Sequence, residues 1–95
     1  MEFVNDYELT ARYVTVKSFY GKARVREYND DGIDVFVLYS YDTPVLSSFN
    51  GKLHRVSDEN VYTTTTLRHC REFAEQFDYP TRTKKEFLKL KVYDL

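Results

Sequence analysis

The sequence is poor in the residues that would point to several common classes of protein. It has no tryptophan, one cysteine, two prolines and three glycines in 95 residues. A single cysteine excludes an internal disulfide and a cysteine-rich zinc site, and it fits a reducing compartment. No apolar run approaches the roughly 18 residues that a membrane-spanning helix needs, and the first residues lack the basic-then-apolar pattern of a signal peptide. We therefore expect a cytoplasmic protein.

The charges nearly cancel, which limits what electrostatics alone could attract. Fourteen Lys and Arg residues stand against fifteen Asp and Glu residues, so the net charge is −1 and the sequence pI is about 6.1. A domain that binds nucleic acid chiefly through charge is usually strongly basic. A mimic of DNA would need a large acidic excess. The composition indicates neither class.

Aromatic residues are the abundant component of the chain. Nine Tyr and seven Phe make up 17% of it. Tyr has an apolar ring and a polar hydroxyl, so it suits half-buried sheet surfaces and binding surfaces equally. A chain of this length is the size of one domain and can bury one modest core. We expect a single domain over residues 1–95.

The first half of the chain has the patterns of β-strands. Residues 9–16, LTARYVTV, are rich in β-branched and aromatic side chains and predict a first strand, whereas the mixed residues 1–8 predict no element. Residues 23–28 alternate, which predicts a half-buried strand with Ala23 and Val25 on its buried face. A turn is predicted at 29–32, followed by a nearly apolar central strand at 33–41.

The next strands are delimited by turn residues. Pro44 cannot donate to a β-ladder, so we expect a break at 42–44 and a new strand from Val45. Asn50-Gly51 between alternating segments predicts a hairpin. A polar loop at 57–60 and a short strand at 61–62 follow.

Helical spacing begins after a run of four threonines, Thr63 to Thr66. Leu67, Cys70, Phe73, Ala74 and Phe77 recur at that spacing, which predicts a helix over 67–77 with its apolar stripe on the sheet. One of Thr64 to Thr66 should be the N-cap. The opposite side should face water; its residues are Arg68, Arg71, Glu72, Glu75 and Gln76.

The C-terminal part predicts one more element. Thr83-x-x-Glu86 is a capping-box pattern, which indicates a short second helix. Residues 92–95 fit a tail or an edge strand. The fold class is therefore α+β: an antiparallel β-meander of about four to five strands, with one main α-helix packed on a face and a short C-terminal helix. The helix should meet Val35, Val37, Leu38 or Val45, and the sequence leaves open which face of the central strand it covers.

Three segments of the chain resemble a family of small uncharacterised proteins that is frequent in phages, prophages and plasmids of low-GC Gram-positive bacteria. They are SFYGKA at 18–23, SYDTPV at 40–45 and TT-x-RH-x-x-EF at 65–73, and the similarity extends over about residues 18–77. Cys70 stands where the pattern leads us to expect a β-branched aliphatic residue. The resemblance implies a mobile genetic element in a bacterial host. It implies no reaction, cofactor or binding residue.

Enzymatic and metal chemistry are weakly indicated. Ser40, Asp42 and His69 are residue types of a nucleophile–base set, but the chain has no nucleophile-elbow glycine pair and no oxyanion-hole motif. The plainer interpretation is that Asp42 bonds its own turn and that His69 bonds a sheet carbonyl. His54 and His69 are the only histidines and are far apart in sequence, unlike metal ligands at short spacing. We expect no enzyme, no cofactor and no metal.

Binding is better indicated, and two partners remain open. Basic and aromatic residues alternate from Tyr20 to Tyr28, as in sheet-based binders of single-stranded nucleic acid. Tyr-rich strands with Arg are typical of protein-binding surfaces, and free sheet edges could pair with a partner or form a homodimer. Arg68 beside the threonines could bind an anion, although plain capping is the favoured explanation of the threonines. The candidate partner-binding residues are Tyr20, Lys22, Arg24, Arg26, Tyr28, Tyr39, Tyr41, Asp42 and Arg68.

These observations lead to one functional hypothesis and one alternative. The chain is expected to be a small non-enzymatic binding protein of a mobile genetic element, with a host protein or protein–nucleic-acid complex as its partner. Accessory proteins in that setting are often inhibitors of host defence, including anti-CRISPR proteins. The alternative is an accessory protein that binds nucleic acid directly through the basic and aromatic strand face.

Overall fold

The computed structural model describes residues 1–13, 22–56, 62–80 and 83–93. Five strands come first: β1 (Glu2–Glu8), β2 (Ala23–Asp30), β3 (Ile33–Ser40), β4 (Thr43–Phe49) and β5 (Lys52–Arg55). Two helices follow, α1 (Thr64–Gln76) and α2 (Lys84–Leu88). The strands lie in the order β1-β2-β3-β4-β5 and each pairs antiparallel with the next. The predicted α+β meander with a main helix and a short C-terminal helix is confirmed, and β3 is the central strand.

Two-residue turns join the last four strands. In each turn both residues have positive φ, a backbone that matches the right-handed twist of hairpin strands. The predicted hairpin at Asn50-Gly51 is confirmed, with φ of 53° and 69°. The turn predicted within 29–32 is formed by Asp31 and Gly32, and the amide of Gly32 donates to Oδ1 of Asn29 at 3.0 Å.

The break predicted at 42–44 is wrong in its position. Tyr41 and Asp42 form the turn, with φ of 49° and 68°, and β4 already begins at Thr43. Pro44 lies inside β4 opposite Tyr39, next to a register shift between Leu38 and Tyr39. A β-bulge is one of the places where a strand tolerates a residue that cannot donate to the ladder.

The N-terminal prediction is also wrong. Residues 1–8, predicted to form no element, contain β1, which pairs with β2 through a register shift between Phe3 and Asn5. Residues 9–13, predicted as strand, lie outside any strand, and 14–16 lie outside the described residues. The reason is that β1 is an edge strand with almost every residue exposed, so it shows no alternation. Leu9 ends the pairing and is buried in the core.

The helices cover one face of the sheet. The core cluster joins Ala23 and Val25 of β2 and Leu38 of β3 to residues of both helices. The predicted buried face of β2 is thus confirmed. On β3 the helix side carries Leu38, and Val35 and Val37 belong to the other face although both are buried. This settles the parity that the sequence left open.

Helix α1 begins at Thr64 rather than at Leu67, and its N-cap lies one residue before the predicted range of Thr64 to Thr66. Thr63 is the N-cap, and its hydroxyl accepts from the amide of Thr66 at 3.3 Å. The predicted stripe is buried as far as Ala74, and Phe77 is the half-buried C-cap. Asp78, with φ of 62°, takes the chain out of the helix.

Helix α2 has the predicted capping box. The hydroxyl of Thr83 accepts from the amide of Glu86, and the Glu86 carboxylate accepts from the amide of Thr83 at 3.0 Å. Phe87 is fully buried in the same core as α1. The capping box therefore fixes a helix of five residues so that one aromatic ring completes the core.

The last described residues lie against the β5 edge of the sheet. Val92 forms an isolated parallel bridge with Arg55, so the predicted C-terminal edge strand amounts to one bridge among the described residues. Tyr62 is buried outside any strand, and the predicted loop at 57–60 and Val61 lie outside the described residues. Within the described ranges, no helix is long and apolar enough to cross a membrane.

Candidate functional site

The described parts of the three segments of the sequence pattern meet at one end of the sheet. Ala23 pairs with Ser40 across β2 and β3, and the amide of Tyr41 donates to the carbonyl of Lys22 at 2.9 Å. Ser40 in turn reaches α1, where its Oγ lies 2.8 Å from Nδ1 of His69 and 3.0 Å from Oγ1 of Thr66. The three segments are therefore in contact with one another. We call this contact the junction and define it by Lys22 and Ala23, Ser40 and Tyr41, and Thr66 and His69.

The junction is closed to a substrate. Ser40 is 2% exposed, Thr66 is 5% exposed and His69 is 0% exposed. A serine at hydrogen-bond distance from a histidine is the geometry of a nucleophile and its base, but a reacting molecule would have to reach the hydroxyl. The sheet group at Nδ1 of His69 is the Ser40 hydroxyl, and the expected bond from His69 to a sheet carbonyl stays a prediction. Asp42 is exposed in the turn next to it.

Glu72 extends the buried polar contacts along α1. It was expected to face water and is 0% exposed. Its carboxylate accepts from the amide of Tyr13 at 2.8 Å and from Nε2 of Gln76 at 2.7 Å, and Gln76 also donates to the carbonyl of Thr10. A buried carboxylate is stable only when it is hydrogen-bonded. Glu72 therefore ties the segment after β1 to the helix, a role that helical spacing alone could not reveal.

The face of the sheet opposite the helices carries four of the nine predicted binding residues. We call it the open face and define it by Phe3 and Asp6 of β1, Arg24, Arg26 and Tyr28 of β2, and Tyr39 of β3. The register places Phe3 opposite Tyr28, Asp6 opposite Arg26, and Arg24 opposite Tyr39. All six side chains are exposed or half-buried. The structure therefore brings together four of the predicted residues and adds two from the strand that the sequence did not predict.

Asp6 organises the two arginines of the open face. Its Oδ1 accepts from Nε of Arg24 at 2.9 Å, and its Oδ2 lies 3.6 Å from Nε of Arg26. Both pairs are partly exposed, so they contribute little to stability. Their effect is to neutralise part of the positive charge and to hold the guanidinium groups in place.

Aromatic rings flank these arginines. The guanidinium carbon of Arg26 lies 4.4 Å from the ring centre of Tyr39, a cation–π contact. The hydroxyls of Tyr28 and Tyr39 lie 3.5 Å apart, and Phe3 packs edge-on against Tyr28 with ring centres 6.0 Å apart. Hydrogen bonding to Tyr28 raises the pKa of Arg26, and burial followed by the Tyr28 contact raises the pKa of Tyr39. Both shifts favour a neutral Tyr39 and a charged Arg26 near neutral pH.

The remaining predicted residues lie elsewhere. Tyr41 is 50% exposed at the junction, where its ring contacts His69 and the Lys22 ammonium lies 5.9 Å from the ring centre. Arg68 is half-buried in the first part of α1. Tyr20 lies outside the described residues. Lys22 and Tyr41 therefore form a pair at the end of the sheet, separate from the open face.

Neither a reactive cysteine nor a group of metal ligands is found among the described residues. Cys70 is buried as predicted, and burial raises the pKa of its thiol, so the reactive thiolate is suppressed. Among the described residues, no three His, Cys, Asp or Glu side chains are grouped as metal ligands would be.

The comparisons with known proteins identify a family. A model described as a family of unknown function, DUF8033, matches residues 7–89. The chain belongs to this family. No curated protein and no solved structure matches the chain significantly.

The DUF8033 match places the junction and most of the open face within the family's span. Arg24, Arg26, Tyr28 and Tyr39 lie inside it, whereas Phe3 and Asp6 precede it. The three segments of the sequence pattern also lie inside it. An uncharacterised family is thus shown, and the DUF8033 description assigns no activity.

Proposed function

We propose that this DUF8033 protein is a non-enzymatic binding protein whose open face docks on a partner protein. The observation that carries the proposal is the contiguous set of Phe3, Tyr28, Tyr39 and Arg26 on a sheet face that the helices leave uncovered. Tyr and Arg are enriched among the residues that dominate binding energy at protein interfaces.

The side chains of the open face are held before any partner arrives. Arg26 is fixed between the carboxylate of Asp6 and the ring of Tyr39, and Tyr39 is within reach of the Tyr28 hydroxyl. Ordering long side chains on binding costs about 0.5–1.5 kcal/mol each, and a surface that is already ordered avoids much of that cost. This geometry favours a specific protein surface as the partner.

A catalytic role has less support. Ser40 and His69, which have the geometry of a nucleophile and its base, are buried in the core. The polar side chains of the open face contact one another, in the ion pairs of Asp6 and the contact of the Tyr28 and Tyr39 hydroxyls. We propose that the junction serves stability: it fixes the end of the sheet against α1 and so keeps the open face in shape.

The cellular setting of the proposal rests on the resemblance of the three segments to proteins of phages, prophages and plasmids. In that setting the partner would be a protein or protein–nucleic-acid complex in the cytoplasm of the bacterial host. We propose an inhibitor of a host defence system, such as an anti-CRISPR protein. The identity of the partner decides this part of the proposal.

Direct binding of nucleic acid is the second candidate, favoured by the two arginines beside stacking aromatics on one strand face. Asp6 works against it, because its carboxylate neutralises charge at both arginines. The two candidates differ in their response to salt. Phosphate-driven binding weakens by orders of magnitude over a few-fold rise in salt, whereas an interface centred on aromatic residues weakens much less.

The experiment is affinity capture of the tagged protein from a lysate of its native host, with and without nuclease, at two salt concentrations. The proposal expects a stoichiometric protein partner that survives nuclease and moderate salt. Arg26→Ala should reduce its recovery, while Lys84→Ala, an exposed cation on α2 away from the open face, should not. Recovery of nucleic acid alone, or loss of the partner on nuclease treatment, would favour the second candidate.

A further inference from the structure

The last described residues cover the β5 edge of the sheet. The amide of Arg55 donates to the carbonyl of Lys91 at 2.9 Å, and the amide of Tyr93 donates to the carbonyl of Arg55 at 2.8 Å. Residues 91–93 are thus held on β5 by two backbone hydrogen bonds around a single bridge. We call these three residues the strap. They lie after the end of the DUF8033 match.

Tyr93 of the strap contacts two aromatic rings of the sheet, Phe49 and His54. The ring of His54 stacks on Phe49 with ring centres 4.4 Å apart and planes at 15°. Tyr93 packs against both rings, 4.9 Å from Phe49 and 5.8 Å from His54. The strap therefore closes an aromatic cluster on β4 and β5.

The imidazole of His54, which the strap contacts, has a buried nitrogen without a hydrogen-bond partner among the described residues. Nε2 of His54 is buried and has no hydrogen-bond partner among the described residues, and the same holds for Oγ of Ser47, its direct neighbour across β4 and β5. A buried polar atom without a partner costs about 1–3 kcal/mol. Among the described residues, the docked strap has two backbone hydrogen bonds and the contacts of the Tyr93 ring with Phe49 and His54 to set against that cost. Few contacts therefore oppose its release.

The charges around His54 have one sign. Lys52 on β5 and Lys91 on the strap are the charged groups of the described residues that act on it, and the ring of Tyr93 also contacts it. Burial, then Lys52, then Lys91 lower the pKa of His54. A proton on the ring would add a third positive charge and a second buried N–H donor.

We propose that residues 91–93 are a releasable strap, and that protonation of His54 releases it. Because the docked state holds a histidine whose pKa is below its ordinary value, docking is strongest above the ordinary value of about 6.5 and weakens as the pH falls through it. Release gives the imidazole access to water and frees the N–H and C=O of Arg55 at the sheet edge.

The test is amide hydrogen exchange of the full chain, followed by NMR from pH 7.5 to pH 5.0 and corrected for intrinsic exchange rates. The amides of Arg55 and Tyr93 should lose protection as the pH falls. The loss should approach tenfold for each pH unit that separates the pKa of His54 in the docked state from that in the released state. The amide of Val37 in β3 should keep its protection over the same range.

Two variants make the result decisive. His54→Phe keeps a ring on Phe49 but cannot take a proton, so its strap should stay docked at low pH. Tyr93→Ala should lose protection at Arg55 at every pH, which establishes that this amide reports docking. Protection that does not change with pH in the wild type, or an equal pH response in His54→Phe, would overturn the proposal.

Discussion

Oγ of Ser40 lies 2.8 Å from Nδ1 of His69, deep inside the contact between β3 and α1. The same hydroxyl lies 3.0 Å from Oγ1 of Thr66. One small side chain therefore joins the sheet to two positions of the helix. Because all three groups are buried, each would be costly without its partner.

Replacing this serine should lower stability. Ser40→Ala leaves Nδ1 of His69 without its hydroxyl partner, and we expect a loss of about 1–3 kcal/mol in the free energy of unfolding, measured by urea denaturation. The control is Ser47→Ala, a serine of the same sheet that is equally buried but whose hydroxyl has no partner among the described residues. That change should be neutral or stabilising. Equal losses in the two variants would contradict the claim that the hydrogen bonds of Ser40 stabilise the fold.

Replacing Phe73 of α1 should destabilise the fold more than replacing Phe77, the residue that caps the helix, because Phe73 is more deeply buried. Phe73 is 0% exposed and Phe77 is half-buried at the C-cap. Phe73→Ala should destabilise by about 3–5 kcal/mol, because it removes a large buried ring and leaves a cavity. Phe77→Ala should cost clearly less. A small shift of the urea midpoint for Phe73→Ala would refute its place in the core.

The β4–β5 hairpin should depend on the backbone freedom of Gly51. Its φ is 69°, and a Cβ built there would meet nothing within 4 Å. Gly51→Ala should therefore lower the free energy of unfolding by about 1 kcal/mol through backbone conformation alone. An L-residue in the left-handed region costs roughly 1–2 kcal/mol. Part of this is offset because alanine leaves the unfolded chain fewer conformations than glycine does. Thermal unfolding beside Lys52→Ala, an exposed neighbour, checks this. A loss no larger than that of Lys52→Ala would contradict it.

How much the sequence could predict depended on local chemistry. Asn50-Gly51, the Thr83 capping box and the apolar stripe of α1 carry their own signals, and each was predicted correctly. β1 could not be found in this way, because an exposed edge strand gains its stability from pairing with β2 rather than from an alternating pattern. At Pro44 a local signal was present but gave the wrong result. Proline usually ends a strand, whereas here a bulge accommodates it inside β4.

In the candidate site, too, the arrangement within one strand could be predicted and the contacts between elements could not. Arg24, Arg26 and Tyr28 share a face because strands alternate, and the sequence predicted that. The parts supplied by other elements were not predicted: Asp6 between the arginines, Phe3 on Tyr28, and the Tyr93 contact with His54. These depend on which strands are neighbours, and period-two patterns do not contain that information.

The most direct test of the account is the dissociation constant of the complex between this protein and the partner recovered by affinity capture, measured for Tyr39→Ala and for Tyr13→Ala. Tyr39 is on the open face against Arg26, and Tyr13 is an exposed tyrosine away from it. We predict that Tyr39→Ala weakens binding by about tenfold or more, as expected when an interface anchor is removed, and that Tyr13→Ala leaves the constant within about twofold of the wild type. Unchanged affinity for Tyr39→Ala in a folded protein would contradict the claim that the open face binds the partner.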